Sequence, residues 1–128
     1  MGLNDLELKK NSRLSEHVVQ DLNLSPVLPF ESDSFDAVVC TVSVEYLTKP
    51  LAIFEEVSRV LRTDGYFIVT FSNRWFPTKA IRIWKELHEF ERLGMVLEYF
   101  IRSGGYKTSR PILLGACHAR TMISIFLI

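Results

Sequence analysis

The sequence predicts an α/β fold in which buried strands alternate with amphipathic helices. Three observations predict it: an apolar, β-branched run from Phe35 to Val44, a helical spacing of apolar residues between 51 and 61, and a second apolar run from Tyr66 to Phe71. Strands separated by helices imply parallel pairing through right-handed crossovers. The chain has 128 residues, so we expect a single domain over residues 1–128.

The N-terminal third contains weaker signals. A short helix is expected in Met1–Arg13, begun by Asn4 or Asp5 as its N-cap. A short strand is expected at His17–Leu22. The following segment, Leu24–Asp33, contains two prolines and is expected to be a loop, because proline removes a backbone donor and fixes φ.

The middle of the chain predicts a helix between the two strongest strands. Thr48 is the expected cap, and Pro50 lies in the first turn. Apolar residues then recur every three or four positions, at Leu51, Phe54, Val57 and Leu61. We expect the helix to end near Arg62, with a turn at 63–65 leading into the strand Tyr66–Phe71.

The C-terminal half predicts two further helices and a strand. Pro77 is expected to begin a helix with Ile81, Trp84 and Leu87 on its apolar face, and Gly94 predicts a break near 92–94. A second helix is expected to run through Val96, Tyr99 and Phe100 to Arg102 and to stop at Gly104 and Gly105. Thr121–Ile128 is the last expected strand.

Charge and composition exclude several classes of function. Fifteen basic and fifteen acidic residues give no net charge, so nucleic acid and anionic membrane surfaces are not expected partners. The apolar stretch after Arg120 is far shorter than the roughly 20 residues of a spanning helix. Two cysteines make no disulfide framework, and three scattered histidines imply no metal site. With no secretory signal at the N-terminus, we expect a soluble, cytoplasmic protein.

Three motifs in order give a specific resemblance. They are Gln20–Asn23, the run Leu28–Asp36 (LPFESDSFD) and the turn Leu61–Phe67 (LRTDGYF). Together, over Val18 to Asn73, they resemble the third, fourth and fifth strand regions of class I S-adenosylmethionine-dependent methyltransferases of the type 11-like group. Thr63–Asp64 replaces the family's usual Pro-Gly. The resemblance implies a Rossmann-like doubly wound sheet with S-adenosyl-L-methionine as cofactor.

The resemblance also implies cofactor-binding residues. Asp21 falls where an acidic side chain accepts the amino group of adenine, and a carboxylate suits a group that only donates. Leu22 falls where a backbone amide meets the adenine ring, and Thr41 lies beside the cofactor on the fourth strand. Asn4 or Asp5 is the nearest candidate for the ribose hydroxyls. The alternative to a cofactor-binding role is that Asp21 caps a turn and that Thr41 packs in the core.

Catalytic residues are not identified by the sequence. Glu45 and Tyr46 follow the Phe35 strand on the substrate side, where either is a candidate general base or a surface residue at a helix start. Trp75 and Phe76 are expected either to line an acceptor pocket or to pack onto the next helix. The acceptor itself, a small molecule or a protein, is not indicated.

A glycine-rich first turn, which supports the methionine end of the cofactor in the family, is not found anywhere in the sequence. The resemblance therefore implies a partial sheet that lacks the first strand, an N-terminally truncated domain of doubtful activity, and dependence on another chain to complete the sheet. The alternative function is a non-catalytic isoform or interaction fragment. A nicotinamide-dependent enzyme ranks last, because it also requires a glycine-rich turn. The apolar tail Arg110–Ile128 supplies the family's final antiparallel strand or is an altered terminus.

Overall fold

A computed structural model of the chain describes residues 1–72, 75–107 and 121–127, with side chains for 1–71 and 75–107. In chain order the elements are α1 (Asp5–Lys10), β1 (Phe35–Thr41), a 3-10 helix (Val44–Tyr46), α2 (Pro50–Val60), β2 (Leu61–Ser72), α3 (Arg82–Glu86), α4 (Glu89–Ser103) and β3 (Thr121–Leu127). Asn73, Arg74 and the tail residues 110–120, with Cys117 and His118, lie outside the described residues. Every helix in the described ranges is too short or too polar to cross a membrane.

The three strands form one sheet in the order β1-β2-β3. The β1 and β2 strands are parallel, as the crossover helix α2 requires, and β3 runs antiparallel to β2. The predicted α/β class is therefore confirmed, and Thr121–Leu127 forms the antiparallel strand that was one of the two alternatives for the tail. The predicted turn at 63–65 lies within β2, where the register with β1 shifts and Asp64 has a φ of 64°.

The prediction of a strand at His17–Leu22 is wrong, because a single residue of this segment pairs with another strand-like segment. Only Val19 pairs, in an isolated parallel bridge with Gly2, and this bridge lies outside the three-stranded sheet. The amide of Gly2 donates to the carbonyl of Val18 at 3.1 Å, and the amide of Gln20 donates to the carbonyl of Gly2 at 3.1 Å. A strand needs partners along its length, and here the partner segment turns into α1 after three residues.

Helix α2 forms as predicted, but its cap does not. Lys49 is the N-cap residue and makes no side-chain capping bond, whereas the amide and hydroxyl of Thr48 both donate to the side-chain oxygen of Asn23. Phe54 and Val57 are buried, in agreement with the helical spacing. The helix ends at Val60 because Leu61 adopts an extended backbone and begins β2.

The predicted break at Gly94 is wrong. Helix α4 runs without interruption through this glycine, because Leu93, Val96 and Phe100 on its buried face hold the helix against the core. Gly94 itself is exposed, and a Cβ at this position would have no atom of the described residues within 4 Å. The predicted stop is confirmed at Gly104, whose φ of 72° is the left-handed conformation that glycine adopts readily. The helix expected from Pro77 forms only over Arg82–Glu86.

The core lies on one face of the sheet. Phe67 of β2 contacts Phe54 of α2 and Phe100 of α4 edge to face, with ring centroids 5.0 and 5.2 Å apart. Further along the same strand, Phe71 contacts Trp84 of α3 at 5.2 Å. Helices α2, α3 and α4 therefore all pack on the face of β2 that carries Phe67 and Phe71.

Candidate functional site

A cleft separates the N-terminal bridge from strand β1. It encloses about 820 Å³. Four residues predicted to contact the cofactor line this one cleft, although they are spread over nearly forty positions of the sequence: Asn4, Asp21, Leu22 and Thr41. The fold thus brings the four together, three on the N-terminal wall and Thr41 at the end of β1.

Asp21 caps a turn and also lines the cleft. One carboxylate oxygen accepts the amide of Asn23 at 2.9 Å, so the side chain does cap a turn. The other oxygen makes no hydrogen bond within the described residues, and Asp21 is one of the residues that line the cleft. The amide of Leu22 likewise has no hydrogen-bond partner among the described residues, which leaves an acceptor and a donor side by side.

Asn4 and Asp5 are separated by the structure. Asn4 is the N-cap of α1, and its side-chain oxygen accepts the amides of Leu6 and Glu7 at 3.1 and 3.4 Å. Its amide nitrogen is therefore the group left for a ligand. Asp5 does not line the cleft and instead pairs with Lys9 at 2.6 Å, a hydrogen bond that lowers the pKa of Asp5.

The end of β1 turns sharply at the cleft. The carbonyl of Thr41 accepts the hydroxyl of Ser43 at 2.9 Å, and Val42 between them has a φ of 46°. A β-branched residue in the left-handed region is strained. The turn places Thr41 and Ser43 together on the cleft wall.

Asn23 shapes the cleft and was not singled out by the sequence. Its amide group donates to the carbonyl of Tyr46 at 3.0 Å, and its oxygen accepts the amide of Thr48 at 2.8 Å. These bonds tie the turn that carries Asp21 to the segment that follows β1. The only signal in the sequence was its position directly after Asp21 and Leu22.

The two candidate bases differ in placement. Tyr46 lines the cleft, and its hydroxyl accepts the amide of Phe76 at 3.1 Å. Glu45 is completely buried and does not line the cleft, so its interpretation as a surface residue is wrong. Neither of its carboxylate oxygens has a hydrogen-bond partner among the described residues, and burial raises the pKa of Glu45. The backbone carbonyl of Glu45 accepts the amide of Ile81 at 3.0 Å.

The two aromatic residues after β2, Trp75 and Phe76, also differ in placement. Trp75 is half-buried and stacks on the guanidinium of Arg92 at 4.0 Å, which is a packing role. Phe76 is exposed, and the ammonium of Lys79 lies 5.6 Å from its ring centre. Lys79 is the cationic side chain among the described lining residues of the cleft, and no motif in the sequence pointed to it.

Comparison with known proteins identifies a matching family and solved structures with a similar fold. The sequence profile of a family described as methyltransferase domain matches residues 4–69, more than half of the chain. A S-adenosylmethionine-dependent methyltransferase from Aquifex aeolicus is 19% identical with a TM-score of 0.60, over 88% of this chain and 54% of its own. A structure from Mesorhizobium loti, also a S-adenosylmethionine-dependent methyltransferase, is 13% identical with a TM-score of 0.67, over 98% of this chain and 77% of its own.

A third similar structure comes from a complex between the Haloferax volcanii Trm112 methyltransferase activator and a methyltransferase. It is 17% identical with a TM-score of 0.59, over 86% of this chain and 60% of that chain. This chain thus spans between half and three fifths of the Aquifex and Haloferax structures. No curated protein sequence matches it.

Proposed function

Because this chain belongs to the methyltransferase domain family, we propose that it is a S-adenosyl-L-methionine-dependent methyltransferase whose cleft holds the adenine side of the cofactor. The observation that carries the proposal is the convergence of Asn4, Asp21, Leu22 and Thr41 on one cleft. The fold supports it, since ligands of open parallel sheets bind beyond the carboxyl ends of the strands, and Thr41 is the last residue of β1.

The donors and acceptors of the cleft fit the cofactor. The oxygen of Asp21 that is not used in the turn is an acceptor for the amino group of adenine, and the amide of Leu22 is a donor for a ring nitrogen. The side-chain nitrogen of Asn4 is a donor for a ribose hydroxyl. When bound, the cofactor supplies an electrophilic methyl group carried on a sulfonium.

The acceptor is proposed to enter beside Ser43, Tyr46 and Lys79, which line the cleft beyond Thr41. Methyl transfer depends mainly on alignment of the acceptor atom with the methyl group, so orienting side chains are sufficient. The Tyr46 hydroxyl is fixed by the amide of Phe76 and is suited to orient an acceptor, small molecule or protein. Glu45 is not available for this role because its carboxyl faces the interior.

Calorimetric titration with S-adenosylmethionine tests the proposal. Asp21→Asn keeps the oxygen that caps the turn and replaces the free acceptor by a donor, so the affinity should fall about tenfold, the value of one hydrogen bond to a charged group. Asp64→Asn is the matched control: Asp64 is exposed, lies outside the cleft and has a φ that asparagine adopts. Absence of detectable binding at millimolar cofactor, with the chain folded by circular dichroism, would refute the proposal for this chain.

The alternative from the sequence, a non-catalytic interaction protein, makes a different prediction. It allows cofactor binding but no turnover, whereas the enzyme forms S-adenosylhomocysteine in the presence of an acceptor. The complex of the similar Haloferax methyltransferase with an activator protein supports testing turnover with a protein partner present. Mass-spectrometric measurement of S-adenosylhomocysteine over a panel of small-molecule and protein acceptors separates the two functions.

A further inference from the structure

Charged side chains are divided between the two sides of the cleft. Glu7 and Asp21 are the acidic side chains among its described lining residues, and both belong to the N-terminal wall that carries the proposed adenine contacts. Lys79 is the cationic one and comes from the loop after β2. We call the part of the cleft lined by Ser43, Tyr46 and Lys79 the acceptor end. The cleft is therefore negative toward the cofactor and positive toward the acceptor.

The loop that carries Lys79 is fixed to the segment that follows β1. The amide of Phe76 donates to the hydroxyl of Tyr46 at 3.1 Å, and the amide of Ile81 donates to the carbonyl of Glu45 at 3.0 Å. Between these two bonds, the amide of Lys79 donates to the carbonyl of Phe76 at 2.9 Å and closes a tight turn. The backbone of Lys79 is therefore held in place at the acceptor end.

The ammonium of Lys79 is available for a ligand. Its contact within the described part of the chain is with the ring of Phe76, whose centre lies 5.6 Å away, and it forms no ion pair there. Lys9 and Arg82, in contrast, each pair with a carboxylate. An aromatic face attracts a cation without using its N–H donors in hydrogen bonds to oxygen. The ammonium thus retains its donors and its charge for a ligand.

Tyr46 supplies a second donor at the acceptor end. Its oxygen accepts the amide of Phe76, and its O–H hydrogen has no acceptor among the described residues. The neighbouring carboxyl of Glu45 is buried and does not line the cleft, so it brings no negative charge to this end. Two free donors, one of them charged, are complementary to an anion, because hydrogen bonds between charged partners are the strongest.

We propose that the methyl acceptor carries an anionic group, a carboxylate or a phosphate, which is held by the ammonium of Lys79 and the hydroxyl of Tyr46. The inference rests on the proposed methyl transfer and names the substrate class of that site. Leu47, Ile53 and Phe54 also line the cleft, so an apolar body suits the rest of the acceptor. Lys79 then selects the acceptor and has no role in binding the cofactor.

The probe is para-fluorobenzoate, and neutral para-fluorobenzamide is the matched ligand. Binding of each to the full chain is followed by fluorine NMR at low salt and without cofactor. We expect the benzoate to bind about fivefold more tightly, the upper value for an ion pair at an exposed site. Phenyl phosphate, added as a competitor, distinguishes the two anions: stronger displacement than by unlabelled benzoate indicates a phosphate-bearing acceptor, and weaker displacement indicates a carboxylate.

Lys79→Gln should remove the preference for the benzoate, because glutamine retains a donor but no charge. Lys85→Gln is the matched control: this lysine is exposed on α3 and lies outside the described lining of the cleft, and its loss changes the net charge equally. Equal affinity of the original chain for the two ligands would overturn the proposal. A preference that persists in Lys79→Gln, or one that is lost equally in Lys85→Gln, would do the same.

Titration with S-adenosylmethionine separates the acceptor from the carboxylate of the cofactor itself. The cofactor affinity of Lys79→Gln should stay within about twofold of the original chain, since Lys79 lies at the acceptor end. A loss of cofactor affinity with an unchanged preference for benzoate would assign Lys79 to the cofactor and overturn the proposal. A chain that binds benzoate through Lys79 but binds no cofactor would refute methyl transfer and leave the anion site in place.

Discussion

Glu45→Met should stabilise this protein, and increasingly so as the pH rises. The carboxyl of Glu45 is fully buried, and within the described part of the chain neither of its oxygens has a hydrogen-bond partner. A buried polar group without a partner costs about 1–3 kcal/mol even when it is neutral. Methionine fills a similar volume with a flexible apolar chain and carries no such cost.

The pH dependence follows from ionisation. Burial raises the pKa of Glu45 in the folded chain, so the folded state retains a proton that the unfolded state has released. Stability is then greatest below the unfolded pKa of about 4.3 and falls by about 1.4 kcal/mol per pH unit until the folded pKa is reached. The methionine variant lacks this slope, and the difference between the two chains isolates Glu45 from every other titrating group.

The assay is urea unfolding of both chains followed by circular dichroism at pH 5 and at pH 8. We expect a larger free energy of unfolding for Glu45→Met at both values, with the larger gain at pH 8, or about 3–5 °C in Tm for each kcal/mol. Glu55→Met, at an exposed position of α2, is the matched control and should change stability little. A destabilised Glu45→Met at pH 8, or a gain that does not increase with pH, would refute the reasoning.

Three further predictions concern other parts of the fold. Arg59→Met should lower the urea midpoint of unfolding, because the guanidinium holds the loop before β1 through the carbonyl of Phe30 at 2.9 Å. Arg82→Met, on an exposed helix surface, should have little effect. Gly65→Ala should cost about 1–3 kcal/mol, since its Cβ would lie 2.8 Å from a backbone carbonyl oxygen, and an unchanged Tm would contradict this. Burial, with a smaller contribution from nearby Glu45, raises the pKa of Cys40 to about 12, so iodoacetamide at pH 8 should leave its tryptic peptide unmodified in the folded chain and alkylate it in urea.

The elements that the sequence predicted well are those with strong local signals. The run from Phe35 is apolar and β-branched over enough positions that a strand is its favoured conformation, and it forms to Thr41. The spacing of Phe54 and Val57 places both on one face of a helix wherever that helix packs. Gly104 ends α4 because the left-handed conformation it supplies is a local requirement.

The errors arose where long-range contacts outweighed local preference. Gly94 weakens a helix by about 1 kcal/mol, and burial of Leu93, Val96 and Phe100 outweighs that cost. Thr48 is a good capping residue, yet its hydroxyl bonds instead to Asn23, a residue that is distant in the sequence. Neither competition is visible without the partner in place.

The candidate site, too, was determined partly by local sequence and partly by tertiary contacts. The sequence by itself determined the alternation of strands and helices in an α/β fold and the chemical types suited to a cofactor, such as the carboxylate of Asp21. Only the tertiary structure decided that Asp21 and Thr41 share one cleft and that Glu45, one residue before a cleft-lining tyrosine, faces the interior. The physical reason is that burial depends on the residues that pack against a side chain, which no local pattern specifies. The backbone of Glu45 is held by the amide of Ile81, a residue that is distant in the sequence.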